Sequence, residues 1–176
     1  GQYDTYTTLQ LAQYVSTIAN DGVRDAPGLV KEIRNPSENE DELGSIYKVN
    51  HTKVLNKIDV DPKYIKRVQE GFWKVFNESG GTGYSHWAGK PYRPAGKTGT
   101  AENEVYEQDS DGNYRQVAKT ENLALVGYAP FEDPEIAFAI IVPNTGNVRG
   151  QYPINHKIGT RLMDAYFAEK DDKEEE

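Results

Sequence analysis

The sequence contains no cysteine and no long apolar segment. Without cysteine the chain has neither a disulfide framework nor a thiolate zinc site, which fits the cytosol and also an exported protein that does without disulfides. No stretch reaches the roughly 20 apolar residues that a membrane span needs, and no signal peptide opens the chain. Gly1 stands where an initiator methionine is expected, which predicts a mature, cleaved or shortened piece.

Basic residues are also fewer than acidic residues. The 176 residues include 20 Lys and Arg against 28 Asp and Glu, for a net charge of −8, which argues against a nucleic-acid partner. Hydrophobic residues make up 36 %, and 12 residues are tyrosines, so the chain is too apolar and aromatic to be disordered. We predict one domain over residues 1–168 and an acidic disordered tail over residues 169–176.

Three segments have helical patterns. Residues 9–21 lie between Thr8 and Gly22, which are the expected capping residues. A second helix starts after Asp61, a good N-cap, with Pro62 in its first turn. A third amphipathic helix is predicted from apolar residues at helical spacing, which are Ile154, Ile158, Leu162, Ala165 and Tyr166.

Strand-like segments lie between these helices. Residues 29–33 and 46–49 are β-rich and are separated by an acidic loop. Residues 109–113 form a turn typical of a hairpin tip. The apolar segments 123–129 and 136–142, joined by a short proline-containing turn, predict an antiparallel pair of central strands. The order of elements predicts an α+β fold with an antiparallel sheet flanked by helices.

The segment RPAGKTGTAENE, residues 93–104, contains a Gly-Lys-Thr that invites comparison with a phosphate-binding loop. A P-loop needs a glycine five residues before its Gly-Lys, and that position holds Pro91. The following residues, 100–106, lead toward a hairpin turn and not into a helix. Both departures exclude nucleotide binding. A metal site is also not predicted, because the three histidines are far apart in the sequence and have no partner at helical spacing.

A third interpretation treats residues 97–100 as an edge strand that lines a cleft. Lys97 would provide a positive charge, and the hydroxyls of Thr98 and Thr100 would hold a carboxylate. Gly99 would let a substrate backbone approach closely, because it has no Cβ. A backbone N–H after the glycine could point at a developing oxyanion. The competing interpretation is a β-turn that contains Lys and Thr without any catalytic role.

The hexapeptide KTGTAE, residues 97–102, resembles the third signature of penicillin-binding proteins, the Lys-Thr/Ser-Gly box. Further segments resemble the same family in the same order, so the resemblance covers nearly the whole chain. The chain most resembles the C-terminal part of the transpeptidase domain of class B penicillin-binding proteins. Within that class it resembles the elongation type of Gram-positive bacteria. The further segments are Gly1-Gln2, residues 8–12, YVSTIANDG at 14–22, the glycine turn at 80–83 and NLALVGYAP at 122–130.

The resemblance implies a D,D-transpeptidase that joins peptidoglycan stem peptides by acyl transfer from D-alanyl-D-alanine and is acylated by β-lactams on the same serine. It implies no cofactor. It also implies a membrane anchor in a segment before Gly1, with the domain outside the cytoplasmic membrane. The implied partners are the N-terminal half of the same protein and elongation or division proteins.

The resemblance assigns roles to the box. Lys97 gives electrostatic support beside the serine network, and Thr98 and Thr100 bind the carboxylate of the substrate or β-lactam. The backbone N–H of Thr100 forms one half of the oxyanion hole, and Gly99 leaves space for the substrate backbone.

Aromatic residues before the box are candidate substrate contacts. Tyr84, Trp87 and Tyr92 are placed to wall the approach to the box, and Arg93 and Glu102 to flank the cleft. The alternative for the three aromatic residues is ordinary packing in the core.

The nucleophile of the family is missing from these residues. The family uses Ser-x-x-Lys and Ser-x-Asn boxes upstream of the segment that begins here. Ser45 and Lys48 match the first spacing, and Ser37 and Asn39 the second, but both pairs come too late in the chain order. We therefore predict that the nucleophile precedes Gly1 and that this chain alone is inactive.

Two other functions remain open at the level of sequence. One is a related serine acyl enzyme, a D,D-carboxypeptidase or β-lactamase. The sequence of the missing upstream boxes would distinguish such an enzyme from a transpeptidase. The other is a non-catalytic β-lactam sensor or a scaffold of the elongation machinery.

Overall fold

The structure is a computed structural model that describes residues 4–146 and 153–174. Gly1-Gln2, part of the family resemblance, therefore lies outside the described residues. None of the helices in the described ranges is both long and apolar enough to cross a lipid bilayer. The elements in chain order are α1 (Thr8–Ala19), β1 (Val23–Asp25), β2 (Glu32–Arg34), β3 (Ile46–Val49), β4 (Val54–Lys57), α2 (Pro62–Asn77), α3 (Tyr84–Trp87), β5 (Ala95–Gln108), β6 (Tyr114–Ala129), β7 (Ile136–Thr145) and α4 (Ile154–Glu174).

The centre of the fold is an antiparallel sheet in the order β5-β6-β7, covered by helices on both faces. Neighbouring residues of a strand point to opposite faces, and Leu125 and Val126 in β6 belong to different core clusters. Val126 packs with Val15 and Ile18 of α1. Leu125 packs with Met163 of α4 on the other face. The predicted α+β fold with an antiparallel sheet flanked by helices is confirmed.

Local sequence signals place the start of the second helix correctly and that of the first within one residue, but the first helix ends at Ala19 with Asn20 as its C-cap, before the expected Gly22. Thr7 caps α1 in a capping box, because its hydroxyl accepts from the backbone N–H of Gln10 and the side chain of Gln10 accepts from the backbone of Thr7. Asp61 caps α2 by accepting from the backbone N–H of Lys63, with Pro62 in the first turn. α2 contributes one phenylalanine to each core cluster.

The segment between α1 and α2 forms two small hairpins, in which β1 pairs with β4 and β2 with β3. The predicted strand at residues 46–49 is confirmed as β3, whereas the predicted strand at 29–33 begins only at Glu32. β1 and β4 are not evident from the sequence, since both are only three or four residues long. Many apolar side chains of this segment are exposed, among them Leu29, Leu43, Tyr47 and Val54.

The C-terminal helix forms as predicted but buries a neighbouring face and not the predicted one. Its buried residues are Asn155, His156, Gly159 and Met163. The predicted apolar face is exposed instead, because the described part of the chain has no element over it; its large residues are Ile154, Ile158, Leu162 and Tyr166.

The end of α4 also differs from the prediction. The helix continues to Glu174, through residues that the sequence assigns to a disordered acidic tail. The side chain of Lys170 lies 2.9 Å from a carboxylate oxygen of Glu135 at the start of β7, which anchors this part of the helix. Residues 175 and 176 lie outside the described residues, and the domain boundary at residue 168 stays a prediction.

Candidate active site

Residues 97–100 lie in β5, the outer strand of the central sheet. One edge of β5 pairs with β6, and the other edge has no strand partner in the part of the chain that the structure describes. Lys97 and Thr100 are exposed, and Thr98 and Gly99 are half-buried. The segment is thus an accessible strand edge, as the third interpretation of the sequence requires, and it is neither a loop entering a helix nor an isolated turn.

Lys97 is an exposed cation whose ammonium group lies close to this edge. Its ammonium group donates a hydrogen bond of 2.6 Å to the backbone carbonyl oxygen of Thr98. Among the described residues it forms no salt bridge. A neutral carbonyl acceptor leaves the positive charge available to an anion that arrives at the edge.

Thr98 has a hydroxyl partner that the sequence does not reveal. The hydroxyl oxygens of Thr98 and Thr82 are 2.6 Å apart, although the two residues are separated by 16 positions. Thr82 belongs to the glycine turn between α2 and α3. The only signal in the sequence is that this turn precedes the box in the family resemblance, and nothing in it predicts the contact.

Gly99 of the box differs in its surroundings from Gly96, which directly precedes the box. A Cβ on Gly99 would meet only the side chain of Ala124 closely, at 3.3 Å, so the space above it is nearly open. A Cβ on Gly96 would collide with the ring of Phe76 and the backbone oxygen of Val126. Internal packing therefore requires glycine at 96, whereas at 99 the missing side chain leaves space for something outside the fold.

Two of the three candidate wall aromatics lie in the core, so their assignment as substrate contacts is wrong. Trp87 is 0 % exposed and stacks on Phe76 with ring centroids 4.6 Å apart. Tyr92 is buried as well, and its hydroxyl donates to a carboxylate oxygen of Asp164 at 2.9 Å. Tyr84 is 41 % exposed, and its role as a substrate contact stays a prediction.

The residues placed at the flanks of the cleft have other contacts. Arg93 forms an ion pair with Glu132, and its guanidinium lies 4.8 Å from the ring centroid of Trp73. The pKa of Glu132 is lowered by the hydrogen bonds from Arg93. Arg93 thus ties the start of β5 to the β6–β7 turn and is not directed at a substrate.

The Ser-x-x-Lys match at Ser45 is a coincidence of spacing. Lys48 lies in β3, and Ser45 is the residue directly before that strand. Side chains three positions apart on an extended backbone point in opposite directions. On a helix the same spacing would bring them to one face. The Ser45 hydroxyl accepts a hydrogen bond of 2.9 Å from the side chain of Asn35.

Two histidines, His86 of α3 and His156 of α4, stack on each other. His156 is buried, and its Nδ1 accepts a hydrogen bond of 2.9 Å from the indole N–H of Trp87. The ring of His86 stacks on it at 4.4 Å. Burial, together with electrostatic repulsion from the neighbouring His86, lowers the pKa of His156 to about 4. His156 is therefore neutral near pH 7, as its role as an acceptor requires.

We expect this histidine to make the fold acid-sensitive. Because the folded-state pKa lies below the ordinary value, the unfolded chain binds the proton first as the pH falls, and stability is lost between about pH 6.5 and about pH 4. We expect His156 to account for about 2 kcal/mol of the loss in unfolding free energy between about pH 7 and about pH 4.5. Urea unfolding of the complete domain at the two pH values measures it.

The control for acid sensitivity is His156→Gln, whose amide oxygen can accept from Trp87 but does not titrate. The carboxylates titrate in both proteins, so the difference between them isolates the histidine. Equal losses of stability in wild type and variant would contradict a buried neutral His156.

The chain matches the family model described as the penicillin-binding protein transpeptidase domain over residues 1–164. It is 44 % identical over 177 aligned residues to penicillin-binding protein 2A of Bacillus subtilis, covering 100 % of this chain and 24 % of that protein. It is 40 % identical over 166 residues to penicillin-binding protein H of the same organism, covering 94 % of this chain and 22 % of that protein.

A solved structure agrees with the sequence comparisons. The fold superimposes on penicillin-binding protein 2B of Streptococcus pneumoniae R6 with a TM-score of 0.76 and 34 % identity, covering 94 % of this chain and 25 % of that one. The chain thus spans about a quarter of the length of the relatives that it matches, in their C-terminal part. It belongs to the family of penicillin-binding protein transpeptidase domains, class B.

Proposed function

We propose that this chain is the C-terminal part of a peptidoglycan D,D-transpeptidase that cross-links stem peptides by serine acyl transfer. The observation that carries the proposal is the accessible edge of β5, where Lys97, two threonine hydroxyls and an uncrowded glycine lie side by side. A peptide that ends in a carboxylate can align along such an edge, since its free backbone groups offer strand-like hydrogen bonds.

The reaction divides into two acyl transfers. In the first, a serine hydroxyl attacks the carbonyl carbon between the two D-alanines, and the terminal D-alanine leaves with a proton on its amine. In the second, an amine of another stem peptide attacks the acyl-serine, and the serine regains its proton. A β-lactam enters the first step, but its opened ring stays attached.

The residues of β5 stabilise the negative charges of the substrate and of the transition states in these steps. Lys97 stabilises the anionic side of the serine network, and the hydroxyls of Thr98 and Thr100 bind the terminal carboxylate. The backbone N–H of Thr100 donates to the oxyanion together with the N–H of the serine. Gly99 leaves space for the substrate, and Tyr84 lines the approach.

We infer that the nucleophile lies upstream of Gly1, on a segment that carries Ser-x-x-Lys and Ser-x-Asn. The exposed apolar side of α4 supports such a partner, because residues Ile154, Ile158, Leu162 and Tyr166 form a stripe four residues apart. Contiguous apolar surface of this kind marks a contact with another element. The N-terminal half of the same protein is the occupant that we propose, with elongation or division proteins as further partners.

The proposed location is the outer face of the cytoplasmic membrane, where the stem peptides are cross-linked. The anchor would lie in a segment outside this chain. The absence of cysteine is compatible with export, since no disulfide is then required.

Labelling with a fluorescent penicillin tests the proposal. The chain alone should stay dark, and the chain joined to its upstream segment should label covalently. A serine-to-alanine change in the upstream Ser-x-x-Lys is the matched control and should abolish labelling. If both forms stay dark, a scaffold is favoured and the proposal is overturned. Rapid loss of the label by hydrolysis would favour a β-lactamase.

A further inference from the structure

The hydroxyl of Thr82 is the only side-chain partner that the structure gives to the hydroxyl of Thr98 within the described residues, at 2.6 Å. Thr82 is exposed and Thr98 is half-buried at the open edge of β5. A hydrogen bond between two neutral hydroxyls near the surface adds little to stability. Its place beside the proposed carboxylate site is therefore more informative than its energy.

The fold holds Thr82 in this position from both sides. Gly81 is so close to the last carbonyls of α2 that a Cβ would collide with the backbone oxygens of Lys74 and Val75. The N–H of Gly83 donates to the oxygen of Val75 at 3.0 Å, and a Cβ on Gly83 would lie 2.5 Å from the ring of Phe76. The turn is thus packed onto α2.

The same phenylalanine ring also fixes the strand. Phe76 is 0 % exposed and leaves no room for a side chain on Gly96, two residues before Thr98. Gly83 and Gly96 both lie against this ring, so Phe76 sets the separation between the turn and the strand. The backbone at Thr82 and at Thr98 is consequently held in register by rigid packing, which places the two hydroxyls within hydrogen-bond distance.

A hydroxyl has one proton to donate and two lone pairs to accept with. In the pair as it stands, either hydroxyl can be the donor. When a carboxylate lies at the edge, the charged acceptor takes the proton of Thr98, because charge-assisted hydrogen bonds are the stronger ones. Thr82 must then donate to Thr98. The donation polarises the Thr98 hydroxyl and strengthens its bond to the anion.

We propose that Thr82 is a positioning residue that orients and polarises the Thr98 hydroxyl toward the carboxylate of the substrate or β-lactam. This inference rests on the proposed function, and it adds a residue outside the box to the recognition of the terminal carboxylate. Thr82 acts through Thr98, so its effect should depend on Thr98 and on the negative charge of the ligand.

The test compares acylation rate constants of the complete transpeptidase domain with benzylpenicillin and with its methyl ester, which lacks the carboxylate charge. Thr82→Val keeps the shape and removes the hydroxyl. We expect it to slow acylation by benzylpenicillin about tenfold and to change acylation by the ester much less. Thr82→Ser, which keeps the hydroxyl, should restore most of the rate.

A double-mutant cycle separates positioning from a structural effect. In a Thr98→Val background, Thr82→Val should cause no further loss, since the two changes act through one hydroxyl. Thr120→Val is the matched control, because the Thr120 hydroxyl donates to Asn144 elsewhere on the sheet and its removal should leave both rates unchanged. Unfolding temperatures should agree among all variants.

Three results would overturn the inference: an unchanged rate in Thr82→Val, an equal loss for benzylpenicillin and its ester, or losses that multiply in the double variant. Failure of the proposed function has a different signature. In that case the wild-type domain would not be acylated by either compound, and the role of Thr82 in carboxylate recognition would fall with it.

Discussion

Replacement of Lys97 by alanine in the complete transpeptidase domain is expected to slow acylation by benzylpenicillin about 100-fold or more, the scale of a positioned group that stabilises charge in the transition state. The ammonium group of Lys97 contacts only a neutral carbonyl in the described structure. Removing it therefore breaks no ion pair of the fold, and the loss should be one of catalysis alone. Stopped-flow acylation kinetics measure the rate.

The matched control for Lys97 is Lys119→Ala on the neighbouring strand β6. Lys119 is exposed and lies 4.0 Å from a carboxylate of Glu104, a contact of little energetic value. This variant should keep the wild-type rate, and both variants should keep the wild-type unfolding temperature. A Lys97→Ala domain that is acylated at the wild-type rate would contradict the role assigned to the box.

Phe76→Ala should have the largest effect on stability, lowering the unfolding free energy of the complete domain by about 3–5 kcal/mol. The ring is completely buried, stacks on Trp87 and lies against Gly83 and Gly96. Its removal leaves a cavity that neither glycine can fill, because neither has a side chain to move into it. Equilibrium unfolding in urea measures the change.

Glu70→Ala provides the comparison for Phe76 on the same helix. Glu70 is exposed, so its removal should change the unfolding free energy by no more than about 0.5 kcal/mol. A loss for Phe76→Ala below about 1 kcal/mol would show that the turn and the strand are not held apart by this ring. It would also weaken the argument for Thr82, since Phe76 sets the distance between the two threonines.

The sequence predicts best where the signal is local. A threonine before the first helix and the Asp61-Pro62 start predict where two helices begin; the second is confirmed, and the first N-cap is Thr7, one residue before the expected Thr8. The turn at 109–113 joins β5 and β6 as predicted, because an Asp and Gly-rich tip favours a tight reversal between two strands. Each of these signals involves residues within four positions of one another.

The helix α4 forms as predicted, but the prediction of its buried face is wrong. The periodic apolar residues point outward, whereas the buried face includes Asn155 and His156, which are polar and would be assigned to solvent. His156 is buried because the indole of Trp87, distant in sequence, provides a hydrogen-bond donor. Periodicity shows that a face is apolar, but it does not show which element covers it.

The candidate site likewise has features that the sequence shows and features that only the structure shows. The box itself, residues 97–100, is visible as a motif, but the sequence leaves an edge strand and a β-turn open, and the structure decides for the edge strand. The sequence cannot show whether Trp87 packs in the core or contacts the substrate, since an aromatic residue near a motif serves either role equally well. The contact of Thr82 with Thr98 depends on how α2 packs against β5, which no local pattern records.

The most direct test of the account is to locate the acylated residue. The complete domain is treated with benzylpenicillin, digested and analysed by peptide mass spectrometry. We predict a single penicilloyl adduct on the serine of a Ser-x-x-Lys that precedes Gly1, with none on any peptide of residues 1–176. An adduct on Ser45, or on any other serine of this chain, would contradict the conclusion that these residues supply the charge-stabilising edge but not the nucleophile.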